Sequence, residues 1–153
     1  MDYQSLRSQA DQKIKVADHL LSTTYSIVKE PKLLVSVIEN LHYSLDFAMI
    51  ALLEHEKESG YIGDFGKTFE SRLEMFRRKI MPRHELGPEI MDFMIELKNT
   101  LDEHKKSSVE FTKKEKLVIS DNDYNLRTLT AEDVKKKLAL AKKYVQDLND
   151  LAR

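Results

Sequence analysis

Residues 31–59, PKLLVSVIENLHYSLDFAMIALLEHEKES, carry the strongest pattern in this chain of 153 residues. Apolar positions three or four residues apart form one seam along a helix: Leu34, Ile38, Leu41, Leu45, Ala48 and Leu52. Further apolar residues widen that seam: Val37, Phe47, Ile50, Ala51 and Leu53. A helix that is apolar around most of its circumference is normally surrounded by other helices. The stretch therefore predicts the central helix of an all-α protein.

Amphipathic stripes on both sides of this helix predict its neighbours. A first helix over about residues 2–29 would bury one stripe: Ala10, Ile14, Ala17, Leu21, Tyr25 and Val28. Three glycines in residues 60–66 predict a loop, and a shorter helix over about residues 67–80 would end near Pro82. Because Pro88 suits a first helical position, the next helix is predicted to run from there to about Phe111.

The chain after Phe111 is predicted to leave the helical pattern before it returns to it. Residues 113–129 are the least helical part, with an extended run at 117–119 and a turn at 120–123. Thr130 is predicted to cap a final helix with a regular stripe: Val134, Leu138, Ala141, Val145, Leu148 and Ala152. The prediction is a single domain, an up-and-down bundle of four to five helices around the central apolar one.

Composition limits the classes of function. Hydrophobic residues make up 41% and charged residues 33%, and the net charge of −1 gives no overall attraction for nucleic acid. There is no cysteine, which excludes disulfides and thiolate metal sites. No run of 18 apolar residues predicts a membrane span, and the polar first residues do not resemble a signal peptide. We expect a cytoplasmic protein without membrane contact.

Metal and cofactor motifs are weak or missing. Glu39 and His42 have the Glu-x-x-His spacing of di-iron bundles, but no second copy accompanies them, and a buried, hydrogen-bonded His42 is the favoured interpretation. Phosphate-loop, dinucleotide and zinc-protease motifs are absent from the sequence. The sequence predicts neither a metal nor an organic cofactor.

A cluster of basic residues around Pro82 is the main candidate site. Its members are partly offset by nearby glutamates and are Arg72, Arg77, Arg78, Lys79, Arg83 and His84. The arginine guanidinium suits phosphate, so the five cations are candidate ligands for a nucleotide or an RNA backbone. A histidine beside them could act as general base or acid. The alternative is a solvated helix end, where cations complement the helix dipole.

The central helix resembles the second helix of HEPN (higher eukaryotes and prokaryotes nucleotide-binding) domains. The similar stretch is residues 40–53, NLHYSLDFAMIALL, in which a His precedes small residues and a pair of leucines. Residues 123–127, DYNLR, followed by 130–134, TAEDV, are similar to the way in which many HEPN chains close. The likeness covers about residues 31–151.

This resemblance implies a helical bundle that is often dimeric and is sometimes encoded beside a nucleotidyltransferase partner. Active members are metal-independent ribonucleases with an Arg and a His separated by four to six residues, a spacing met by Arg78 or Arg77 with His84. Two departures are Lys79, where a polar residue such as Asn is usual, and Pro82, which would interrupt the segment.

Three functions follow as hypotheses. The favoured one is a non-catalytic HEPN-like interaction module, a homo-oligomer or a partner of a protein such as a nucleotidyltransferase. The second is an RNA- or nucleotide-binding protein, with metal-independent ribonuclease activity through Arg78 and His84 if it is an enzyme. The third is di-metal chemistry, which rests on Glu39 and His42 alone.

Overall fold

A computed structural model describes residues 2–106, 109–113, 116–120 and 126–153. In these ranges the chain forms five helical units and three short strands. The first unit comprises α1 (Tyr3–His19), a π-helical turn (Leu20–Thr24) and α2 (Tyr25–Val28), and the second is α3 (Leu33–Glu58). The third comprises α4 (Phe69–Met75), a second π-helical turn (Phe76–Ile80) and α5 (Met81–Arg83). The last two are α6 (Glu89–Lys106) and α7 (Ala131–Leu151).

The central position of α3 confirms the prediction from its sequence. Helices α1, α6 and α7 all pack on it. Every residue of the predicted seam is at most 1% exposed, as are Val37, Ala51 and Leu53. Because apolar burial is the main favourable term in folding, the other helices are held together chiefly by covering α3. The protein is thus mainly α-helical, with one long apolar helix at its centre.

Length and composition alone would allow α3 to cross a membrane. In this fold, more than half of its most apolar stretch is buried inside the molecule. Core helices of soluble proteins meet the same criterion, so this property does not locate the protein.

A small antiparallel sheet joins α6 to α7, and it corrects the predicted extent of α6. Its strands, in the order β1-β2-β3, are β1 (Val109–Lys113), β2 (Lys116–Ser120) and β3 (Leu126–Thr130). The helix was predicted to reach Phe111, but it ends at Lys106. The pairing of Phe111 with Val118 explains the difference, because residues 109–113 pair with the next strand instead of extending the helix.

The extended run predicted at residues 117–119 is confirmed by β2. Leu117 and Ile119 are buried and join the main core, together with Leu129 of β3. The turn predicted at residues 120–123 lies outside the described residues beyond Ser120. The capping prediction for the final helix is also confirmed, since the Thr130 hydroxyl accepts a 3.1 Å hydrogen bond from the Asp133 amide.

The burial predicted for the stripe of the first helix is confirmed except at its last position. Ala10, Ala17, Leu21 and Tyr25 are buried, whereas Val28 is 60% exposed. Val28 is the last residue of α2, and the chain leaves the helix at Lys29, which takes a φ of 54°. The buried stripe therefore ends at Tyr25, one turn before the helix does.

Pro82 lies inside a helical turn, contrary to the expected interruption. A proline ring normally clashes with the carbonyl group four residues earlier, here that of Arg78. Directly before Pro82, the π-helical turn Phe76–Ile80 bonds the Met81 amide to the Phe76 carbonyl, five residues back. We infer that the wider turn makes room for the ring. The helix therefore continues through Pro82 to Arg83.

Candidate functional site

Two helix ends with similar caps build the candidate site. After α3, Gly60 takes a positive φ of 83°, and the Tyr61 amide donates to the Glu56 carbonyl at 2.9 Å. After α5, Glu85 takes a φ of 54°, and the Leu86 amide donates to the Met81 carbonyl at 2.9 Å. Both are Schellman caps, which reverse the chain within one or two residues of the helix end. The side chains near the two ends thus meet.

Glu56 is the buried centre of this meeting point. Its side chain is 2% exposed and is bonded to both residues that follow Pro82. Arg83 donates from Nε to Glu56 Oε2 at 3.0 Å, and Nε2 of His84 forms a short hydrogen bond with Oε1. The Arg83 guanidinium carbon lies 3.2 Å from the centre of the Tyr61 ring. We call these four residues, Glu56, Tyr61, Arg83 and His84, the Glu56 cluster.

The chemistry of the cluster follows from the scarcity of solvent around Glu56. A buried carboxylate must be paired, and Arg83 supplies the charge. When His84 is neutral and donates from Nε2, its Nδ1 remains an acceptor, so the carboxylate fixes the tautomer of the imidazole. A histidine held in this way is suited to general-base chemistry if a substrate reaches Nδ1. The His84 side chain is 18% exposed.

The predicted partner of His84 lies on another surface. Arg78 Nε is 3.6 Å from Oε1 of Glu74, and Nη2 of Arg77 donates to the same oxygen at 2.5 Å. The hydrogen bond from Arg77 lowers the pKa of the Glu74 carboxyl. All three side chains are about half exposed, and Lys79 beside them is exposed too. The structure thus bonds Arg78 and His84 to two different carboxylates.

Arg72 is separated from the other cations of the predicted cluster. Its guanidinium makes two-pronged hydrogen bonds to Asp46 of α3, with Nε at 3.2 Å from Oδ1 and Nη2 at 2.7 Å from Oδ2. The two side chains are 12% and 14% exposed. Such a fork is the strongest geometry for this pair, and it fastens α4 to α3. We therefore leave Arg72 out of the candidate phosphate ligands around Pro82.

His42, the other histidine of interest, is buried without a metal-binding neighbourhood. Its ring packs edge-on against Phe69 at 5.0 Å between centres, while Glu39 is exposed. Burial lowers the pKa of His42, and the charge of Lys98 lowers it further, against the opposing effects of Asp46 and Asp102. Across the described ranges, no group of three or more histidine, aspartate or glutamate side chains is placed to hold a metal ion.

Comparisons with known proteins add no relative to this description. No protein-family model, no curated protein and no solved structure matches the chain. The resemblance to HEPN domains stays a prediction from the sequence.

Sequence reasoning missed Glu56 and Tyr61. Glu56 lies near the end of the predicted central helix and Tyr61 in the predicted loop, and neither was among the candidate site residues. One signal was present: Glu56 lies four residues after Leu52 and thus continues the buried seam of the central helix. A carboxylate at such a position needs a cation, and the sequence offered several beyond the loop.

Replacing Glu56 with Gln should lower the free energy of unfolding by about 2 kcal/mol. The change leaves Arg83 without its counter-charge, although partial exposure of Arg83 keeps the loss below that of a fully buried pair. Urea denaturation followed by circular dichroism measures it. Glu74→Gln, on the exposed Arg77–Arg78 surface, is the matched control and should unfold as the wild type does. Equal unfolding midpoints for both variants would contradict the role of Glu56.

His42 should make the protein less stable in mild acid. Because its folded pKa lies below its unfolded value near 6.5, stability is fully present above that pH. As the pH falls below 6.5, the unfolded chain binds the extra proton, and stability drops by up to about 1.4 kcal/mol per pH unit. Urea denaturation of wild type and His42→Gln at pH 7.5 and 5.5 measures the difference. The variant should lose less stability, and parallel losses would refute this assignment.

Proposed function

We propose that this chain is a non-catalytic, HEPN-like helical interaction module that works as a homo-oligomer or docks a partner protein such as a nucleotidyltransferase. The observation that carries the proposal is the division of the predicted catalytic pair. Arg78 is bonded to Glu74 and His84 to Glu56, so neither is held ready for a shared substrate. Pairing of Arg83 with the same Glu56 gives that cluster a role in holding the fold.

Exposed apolar residues support an interaction role. Ile27 and Val28, at the end of α2, are 77% and 60% exposed. They adjoin a cleft between the first and last helices that is lined by Leu21, Tyr25, Ala131 and others. Adjacent large apolar side chains on a surface favour contact with another protein. We take a second copy of this chain as the first partner to test, in a cytoplasmic setting.

Light scattering across a hundredfold range of concentration should show a dimer that dissociates on dilution. Ile27→Glu combined with Val28→Glu should shift the protein to a monomer, since two charges would be buried at the contact. Tyr43→Glu is the control, because Tyr43 is also exposed but lies on α3. A strict monomer at every concentration would refute self-association. The alternative, docking to a partner protein, is tested by co-purification with a nucleotidyltransferase encoded beside this protein.

A second candidate function, binding of RNA or a nucleotide, is favoured by Tyr61. Its ring is 57% exposed, and the Arg83 guanidinium covers one face. An exposed aromatic ring beside cations is the arrangement on which unpaired bases stack. The π-helical turn before Arg83 carries three exposed cations that would contact the backbone phosphates: Arg77, Arg78 and Lys79.

Binding of a labelled 12-nucleotide RNA, followed by fluorescence polarisation, tests this candidate. Tyr61→Ala should weaken binding about tenfold, in keeping with the loss of one stacked base, and Tyr61→Phe should not. Lys79→Ala should weaken binding and reduce its salt dependence. Absence of binding at low salt would end the candidate. Ribonuclease activity would be supported only if His84→Ala abolished cleavage that the wild type shows.

A further inference from the structure

A second cleft lies beside α3 and the end of the loop that also carries Tyr61, and none of its lining residues belongs to the Glu56 cluster. It has a volume of about 550 Å³ and lies between α3, residues 65–67 of the loop and Arg72 of α4. Pockets of this size hold small organic molecules. None of the functions considered above uses it.

The apolar part of this cleft comes from Ile50 and Phe65. Both side chains are half-buried and pack against the main core. The ammonium group of Lys57 lies 5.9 Å from the centre of the Phe65 ring. An apolar or aromatic ligand body would therefore contact hydrocarbon and a ring face, while a cation stands beside it.

Charged side chains of both signs also line the cleft. Lys67 is exposed, and no ion pair is recorded for it within the described part of the chain. Lys57 is bonded to Asp64 at 2.9 Å, but the Asp64 side chain is 94% exposed, and such surface pairs are weak enough to exchange partners. Arg72 is held by Asp46, whose carboxylate offsets its charge. Among the described residues that line the cleft, Glu54 alone is a carboxylate, and it is half-buried.

Gly66 permits the narrow approach of the loop to α4. A β-carbon at this position would lie 2.3 Å from the Ser71 hydroxyl oxygen and 2.8 Å from its β-carbon. The loop wall of the cleft would then have to move. Lys67 follows Gly66 directly and is bonded through its carbonyl to Arg72. Contacts between the backbone of the loop and the side chains of Ser71 and Arg72 thus fix the position of this cleft wall.

We propose that this cleft binds a free α-amino acid with an apolar side chain. The carboxylate of the amino acid pairs with Lys67 and Lys57, and its ammonium group pairs with Glu54. Its side chain contacts Ile50 and Phe65. A simple organic anion would leave Glu54 facing a like charge, and a simple amine would face the like charges of Lys57 and Lys67, so the lining favours a zwitterion. Binding here is independent of the interaction function proposed above.

Isothermal titration calorimetry of the full chain with three related compounds tests the proposal. L-Phenylalanine carries both charges, 3-phenylpropionate lacks the ammonium group, and phenethylamine lacks the carboxylate. Phenylalanine should bind saturably, and each of the others about tenfold more weakly, as expected for the loss of one charge-assisted hydrogen bond. N-Acetylphenylalanine, which imitates the end of a peptide, should bind as weakly as phenylpropionate.

Variants make the test specific to the cleft. Glu54→Gln should reverse the order, so that phenylpropionate binds at least as tightly as phenylalanine. Lys67→Glu should favour phenethylamine instead, and Phe65→Ala should weaken all three compounds. Lys15→Glu, a charge reversal at an exposed position of α1, is the control and should change nothing. Circular dichroism checks that each variant is folded.

Three results would each overturn the proposal. The first is the absence of saturable binding of phenylalanine by the wild type at millimolar concentrations. The second is an unchanged order of the three compounds in Glu54→Gln, and the third is equal binding of phenylalanine and its N-acetyl form. None of these results bears on self-association or RNA binding, which use other residues.

Discussion

The close contact of α1 with α3 is the interaction on which the rest of the bundle depends. The Ser44 hydroxyl donates a 2.6 Å hydrogen bond to the Ala10 carbonyl, and both residues are fully buried. Helix separation is set by the side chains at the contact, so small residues bring the two backbones close. Ala17 and Ala48, also fully buried, are of the same kind. α1 covers one side of α3 in this way, and α6 and α7 pack on its remaining apolar surface.

The charged residues of the third helical unit serve two purposes. Arg72 binds Asp46, while Arg83 and His84 bind Glu56, so both ends of residues 69–84 are tied to α3. Arg77, Arg78 and Lys79 face outward from the middle. The basic cluster predicted from the sequence thus contains two groups of cations. One group holds the helical unit against α3, and the other remains in solvent. Only the second group is available to a phosphate without breaking a buried pair.

The sequence predicted the helices well because their stripes are local. The buried positions of the final helix, from Val134 to Ala152, were identified correctly. The end of α6 was not, since it depends on the pairing of β1 with β2, which the helical spacing of apolar residues does not reveal. The site was predicted only in part. His84 and Arg83 were named, but their partner Glu56 is 27 or 28 residues away in sequence.

The π-helical turns were beyond sequence reasoning for a different reason. Each requires one residue more than a regular turn, and no residue type marks it. At Phe76–Ile80 the first and last residues of the turn, Phe76 and Ile80, are both fully buried, as they would be at the same spacing in a regular helix. A proline two residues later was the sole sequence hint, and it indicated a break.

The turn at Phe76–Ile80 also determines in which direction around the helix axis the side chains of the following residues point. One residue of a regular helix corresponds to a rotation of about 100°. Loss of a single residue here would restore a regular helix, turn Arg83 and His84 away from Glu56 and bring the Pro82 ring against a carbonyl group. Chain length should therefore be under stronger selection than residue identity at Arg77, Arg78 and Lys79, whose side chains face solvent. In a lineage of such proteins, substitutions would accumulate at these three positions while insertions and deletions were eliminated.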